Sequence, residues 1–189
     1  TELMCCTRRA GGVGPEVNVV RRRPLPRSFC QYMKQKFSQI NDSEREWIAS
    51  SIANARTLVV AAYDDNLEHA MTPEVLDGAY KHWLTHGTEI DKQANDVVYA
   101  IAFAFGQFLV DRDGFDWTLV SDQFGTDVGV RALPEKGDVL ICPASMVAKR
   151  WEIKETDFLV PVYRAVIDQR DKIRDAWSSK KTSPWWKLW

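Results

Sequence analysis

Four sets of side chains in this sequence have the types and spacing to do chemistry, and each also has a plainer structural explanation. Asp122 and Asp127 bracket a short Gln-Phe-Gly-Thr segment. Two carboxylates at such a turn can act as acid and base or hold a divalent cation. Asp is also a favoured turn residue, because its side chain accepts from nearby backbone N–H groups. Ser145 stands near the start of a short helix, where a hydroxyl caps free N–H groups. As a nucleophile it would need an adjacent base, and no G-x-S-x-G elbow surrounds it. Lys149 and Arg150 end the same short helix, where positive charge complements the dipole or meets an anionic ligand. His82 and His86 lie four residues apart in His-Trp-Leu-Thr-His, a spacing that lets two imidazoles of one helix face a single metal ion. The pair lacks the Glu of an HExxH site and has no third ligand nearby in sequence, so an exposed polar face explains it equally well.

Other constellations carry less. Asp111, Asp113 and Asp116 resemble a fragment of a calcium loop, but the required glycine and distal Glu register is missing, which leaves a loop after a helix. The four cysteines (Cys5, Cys6, Cys30, Cys142) form no metal or disulfide framework, and Cys142 reads as a small buried hydrophobe. Neither G-x-x-x-x-G-K-[ST] nor G-x-G-x-x-G occurs, so no nucleotide or other cofactor is expected.

These side chains are positioned by a chain of globular composition, 45% hydrophobic and 27% charged over 189 residues, enough apolar material for a real core. The formal net charge of −1 hides an uneven distribution. Residues 1–28 and 170–189 are each net +4, which leaves −9 in residues 29–169. Nucleic-acid binders concentrate positive charge on the folded domain, and here the body has the opposite sign. The expected organisation is a basic, loosely attached leader (1–28), one domain (29–178), and a Trp-rich basic tail (179–189). Nothing demands an oxidising compartment and the N-terminus lacks an apolar stretch, so a cytoplasmic setting is expected. The tail, with Trp185, Trp186 and Trp189 beside Lys187 and Leu188, needs a partner surface: its own domain, another protein, or a membrane interface.

The elements follow from periodicity. A short amphipathic segment (Tyr32, Met33, Phe37, Ile40) ends at Asn41-Asp42-Ser43. A helix then runs to about Tyr63, capped by Asp42 or Ser43, with Trp47, Ile48, Ile52, Ala55, Val59 and Ala62 on its buried stripe. Thr72-Pro73 announces a second helix that Gly87 ends. The third, roughly Thr88 to Val110, is apolar on nearly every face yet too short to span a bilayer, so it is a central core helix, with Gly106 permitting close approach of a neighbour. Two alternating strands flank Gly125, a third (Val139 to Cys142) ends at Pro143, and a short helix (Ser145 to about Glu152) precedes a long last helix capped by Asp157. Trp47, Trp117 and the Val97–Val110 segment are the expected core. The fold expected is α+β: three N-terminal helices and a long C-terminal helix packed on a small, mainly antiparallel three-stranded sheet.

The stretch from Trp117 to Trp151 also resembles a bacterial domain-of-unknown-function family, number 3806 in its series, over about residues 70–170. Its members show an aromatic-rich strand, a D-x-x-G-T-D turn, a strand ending in Pro, and an S-M-x-A-K-R helix. Trp117, Asp122, Gly125, Thr126, Asp127, Pro143, Ser145, Met146, Ala148, Lys149 and Arg150 occupy those positions here. The resemblance implies no established activity and carries over no catalytic residue. With no assembled catalytic set and an acidic body, the leading expectation is a non-enzymatic module that binds a protein partner, in a regulatory or immunity-like role. Its candidate surface is Asp122, Gly125, Thr126, Asp127, Ser145, Lys149 and Arg150. The first alternative is a small enzyme or ligand- or metal-binding domain using Asp122, Asp127, Ser145 and Lys149. The second is a peripheral membrane protein using Arg21-Arg22-Arg23 and the terminal Trp cluster.

Overall fold

The computed structural model describes residues 35–63, 70–87, 93–123, 125–134 and 136–181, the last two without their side chains. The leader with Cys5, Cys6 and Cys30, the amphipathic start at Tyr32 and Met33, His69 and the Trp tail from 182 lie outside the described residues. Thr88, the expected start of the third helix, does too, but that helix begins at Ala94, since Gln93 before it is extended.

The elements, in chain order, are β1 (Lys36–Ser38), α1 (Asp42–Tyr63), α2 (Pro73–His86), α3 (Ala94–Asp113), β2 (Asp116–Asp122), β3 (Gly125–Ala132), β4 (Val139–Ile141), α4 (Pro143–Glu152) and α5 (Leu159–Lys181). The fold is α+β, and its sheet is an antiparallel meander in the order β1-β2-β3-β4. The expected three strands become four, because Lys36, Phe37 and Ser38 pair antiparallel with Ser121, Val120 and Leu119. Likewise four helices become five, since α4 is a packed element and not merely a lead into α5: it touches α3 and β3.

The centre is α3. From Ala100 to Phe105 every residue is at most 1% exposed, which a sequence apolar on all faces requires. Neighbours on every side supply that burial, with α1, α2, α4, β2 and β3 all touching this helix. Gly106 lets one of them come close. A Cβ there would lie 2.4 Å from the Trp117 ring, so β2 packs on α3 through a position that tolerates no side chain. Trp117 then donates its indole N–H to Gln107 at 3.0 Å. Gly114, with φ +70, ends α3 in the left-handed conformation that glycine adopts without strain. Asp111 and Asp113 are therefore in the last helical turn and not in a loop, and Asp113 accepts from Arg170 of α5 at 3.1 Å.

Two helix caps differ from expectation. The cap of α1 is Asn41, one residue before Asp42: its side chain accepts from Glu44 N at 3.0 Å while Glu44 accepts from Asn41 N at 2.6 Å, a reciprocal capping box. Asp157 does not cap α5, because it sits at φ +58 and its carboxylate is engaged by Lys81 and Thr156. Thr72 does cap α2, accepting from Val75 N with Pro73 in the first turn. Gly87 ends α2 in the right-handed region, and what it provides is room, since a Cβ would lie 2.6 Å from the Trp83 carbonyl oxygen.

The core prediction needs correction at both tryptophans: Trp117 is half-buried, and the larger departure is on α1. Trp47 is 40% exposed; it lies at the rim, edge-on to Tyr99 and Phe103. The buried residues of α1 are Ile48, Ser51, Ala55, Leu58 and Val59, a stripe rotated slightly away from the one its largest side chain suggests. Among the described residues no helix is long and apolar enough to cross a membrane.

Candidate functional site

The β2–β3 hairpin and α4 bring the family-like motif together. In the hairpin register Asp122 lies opposite Gly125, Ser121 opposite Thr126, and Val120 opposite Asp127. Opposed residues share a face and successive ones alternate, so Asp122 and Asp127 are on one face while Ser121 and Thr126 are on the other. Gly125 takes φ +140 at the turn, a region that disfavours any Cβ. Ser121 and Thr126 close the rung with a hydroxyl–hydroxyl bond of 2.8 Å.

Asp127 is committed to structure. One carboxylate oxygen accepts from Val128 N at 2.8 Å and the other accepts from the Ser145 hydroxyl at 2.6 Å. Ser145 is thus not a helix cap. The position before α4 belongs to Cys142, which makes no side-chain cap bond and is half-buried, not a fully buried hydrophobe. What ties the first turn of α4 to β3 is the Ser145–Asp127 bond, a charge-assisted contact of the stronger kind. Removing either side chain is expected to cost about 1–2 kcal/mol, and the double variant little more than either single one, because the two share one interaction. Urea denaturation of Ser145→Ala, Asp127→Ala and the double variant checks this; full additivity would mean the bond contributes nothing.

Lys149 and Arg150 part company. Lys149, one helical turn beyond Ser145, is exposed. Arg150 turns inward, its guanidinium 5.7 Å from the Phe158 ring centre and its Nη1 donating to Met146 O. The seven candidate residues therefore divide. Asp127, Ser145 and Arg150 hold the fold together, whereas Asp122, Gly125, Thr126 and Lys149 are exposed. A shallow cleft of about 190 Å³ opens between α1, α3 and β2, lined by Ile40, Ile48, Ile52, Gln107 and Trp117 among others. None of the candidate residues borders it.

His82 and His86 do come together. Their rings stack with centres 4.5 Å apart on the last turn of α2. Among the described residues no group of three or more His, Cys, Asp or Glu is placed to hold a metal ion.

The polar residue that sequence reasoning missed is Asp77. It is 4% exposed on α2, and it caps α5 from across the fold: its oxygens accept from Leu159 N at 3.0 and 3.1 Å and from Val160 N at 3.2 Å. Burial pushes its carboxyl above the usual aspartate range, and the N–H groups of Leu159 and Val160 oppose that shift without cancelling it. The exposed Asp157 moves the other way, held low by its bonds to Lys81 and Thr156. The only local signal for Asp77 was a carboxylate between the core positions Leu76 and Ala79.

Residues 82–163 match the model of a family described as a domain of unknown function (DUF3806). The match runs from the end of α2 into the first turns of α5 and takes in the hairpin and α4, so the resemblance rests on these elements. A crystal structure of a protein from Bacteroides thetaiotaomicron VPI-5482 is similar over 71% of this chain, with TM-score 0.54 and 14% sequence identity. A likeness at that identity concerns the fold alone. The chain spans about half the length of that protein, 48%. No curated protein matches the chain in sequence.

Proposed function

We propose that the protein is a non-enzymatic binding module that docks a protein partner, in a regulatory or immunity-like role, through the tip of the β2–β3 hairpin and the adjoining exposed side of α4. One observation carries this reading: Asp127 and Ser145, two of the four groups an enzyme would use, are spent on each other. Asp127 has both oxygens occupied by Val128 N and Ser145, and Arg150 is turned onto Phe158. The remainder of the motif, Asp122, Gly125, Thr126 and Lys149, is exposed. Residues of this kind on turns and helix ends, positioned by a rigid scaffold, are suited to recognition. The −9 charge of residues 29–169 favours a basic partner and steers its approach. The cytoplasm is the setting we propose for that encounter.

The test is a native complex isolated from source cells and mapped on one double variant. Asp122→Ala/Lys149→Ala, which alters the exposed set, is expected to lose a stoichiometric protein partner while keeping the far-ultraviolet circular dichroism of the folded parent. A partner retained undiminished by that variant would place the interface elsewhere. The enzyme reading has one contact in its favour, the 2.6 Å approach of the Ser145 hydroxyl to a carboxylate. A fluorophosphonate probe that labels the parent, and fails to label Ser145→Ala, would favour that reading over the binding module.

A further inference from the structure

We propose that His82 and His86 form a surface site for a late first-row divalent metal ion, with copper(II) bound most tightly. The site is independent of the hairpin surface and of what binds there. Both side chains lie on the last turn of α2, His82 half-buried and His86 exposed. Their four-residue spacing puts them on one helix face. Their rings stack with centres 4.5 Å apart and planes 28° apart, and because a ligand lone pair lies in its ring plane, turning the His82 ring about its side-chain bonds is what lets both meet one ion at metal–nitrogen distances of about 2.0–2.1 Å.

The second observation concerns the ring nitrogens. His86 Nδ1 lies 3.2 Å from the carbonyl oxygen of His82. A carbonyl only accepts, so Nδ1 is the donor, and in the neutral ring the lone pair then resides on Nε2. This is the arrangement that metal-ligating histidines generally have: one ring N–H held by a backbone carbonyl, which fixes tautomer and orientation, and the other nitrogen left for the metal. Among the described residues the donors are two imidazole nitrogens, a set that suits copper(II), nickel(II) and zinc(II) and not the oxygen-seeking calcium and magnesium. The remaining coordination positions are left for water, or for one donor of another molecule.

Titration of the full chain, its cysteine thiols first alkylated so that they neither bind nor reduce copper(II), with copper(II) and with nickel(II), followed calorimetrically and by copper(II) electron paramagnetic resonance, tests the proposal. The expected result is one site per chain, two imidazole nitrogens in the copper spectrum, and tighter binding of copper than of nickel. The second imidazole of a chelate binds intramolecularly, a gain of about 10²–10⁴ in affinity. His82→Ala and His86→Ala should each lose a factor of that order and resemble each other, with far-ultraviolet circular dichroism unchanged. Equal affinity of the parent and both single variants, or a copper spectrum with other ligands, would overturn it.

Discussion

Replacing Phe103 by alanine is expected to lower the stability of the fold by about 3–5 kcal/mol, the upper range for a large side chain removed from a core. Phe103 is fully buried on α3. Its ring meets Trp47 edge-on at 4.7 Å and Trp117 edge-on at 5.8 Å, and lies 5.9 Å from Tyr99. The cavity left behind would collapse poorly, because α3 is held on several sides and the two Trp rings are anchored on different elements. Trp117 is further fixed by its bond to Gln107 and by its seat against Gly106. Guanidinium denaturation measures the loss; a cost near 1 kcal/mol would show that the neighbouring rings refill the site and that α3 is not the rigid centre of the molecule.

Asp77→Ala is the second large effect, about 2–3 kcal/mol, from loss of a charge-assisted cap together with two N–H groups left buried. The damage should be local in origin, with α5 loosened from α2, so amide exchange at Leu159 and Val160 should accelerate more than exchange within α3. Asp77→Asn keeps an acceptor oxygen and removes the charge, and its effect depends on pH. The folded carboxyl lies above its ordinary value because of burial. The folded state therefore takes up a proton more readily than the unfolded chain, and this group adds stability at low pH that is lost as pH rises through its folded value. Asp157 has the opposite sign: it is held low, and its contribution is present above the ordinary aspartate range and lost on acidification. Asp77→Asn should accordingly be at least as stable as the parent near neutrality and should lack the parent's gain on mild acidification. A parent whose stability falls throughout acidification, with an unchanged slope in Asp77→Asn, would contradict the assignment.

Features legible in the sequence were those written locally. Thr72-Pro73 encodes the start of α2 by itself, the all-round apolar run of α3 encodes burial on every side, and Gly106 marks a close approach that Trp117 fills. What escaped was written in pairs far apart along the chain. Three residues, Lys36 to Ser38, are too short for alternation to distinguish strand from helix, and they become β1 only because β2 offers them a partner about 80 positions later. Asp77 is 82 residues from the N–H groups it caps, and the nearer Asp157, a plausible cap by position, was drawn off by Lys81. Within the motif the residue types were visible and their roles were not. An aspartate in a turn and a serine at a helix start each have a good local explanation, whereas the bond between them crosses 18 residues. Trp47 misled through size alone, since its ring packs on one side and meets solvent on the other.

That the hairpin tip and α4 form a recognition surface is tested by site-specific photo-crosslinking in source cells. One photoreactive side chain would replace Thr126, exposed at the tip, and in a second protein one would replace Val60, 49% exposed on α1. The account predicts a single dominant protein adduct from position 126, absent when Asp122→Ala and Lys149→Ala are added, and no matching adduct from position 60. An adduct from position 60 alone, or none from either, would contradict it.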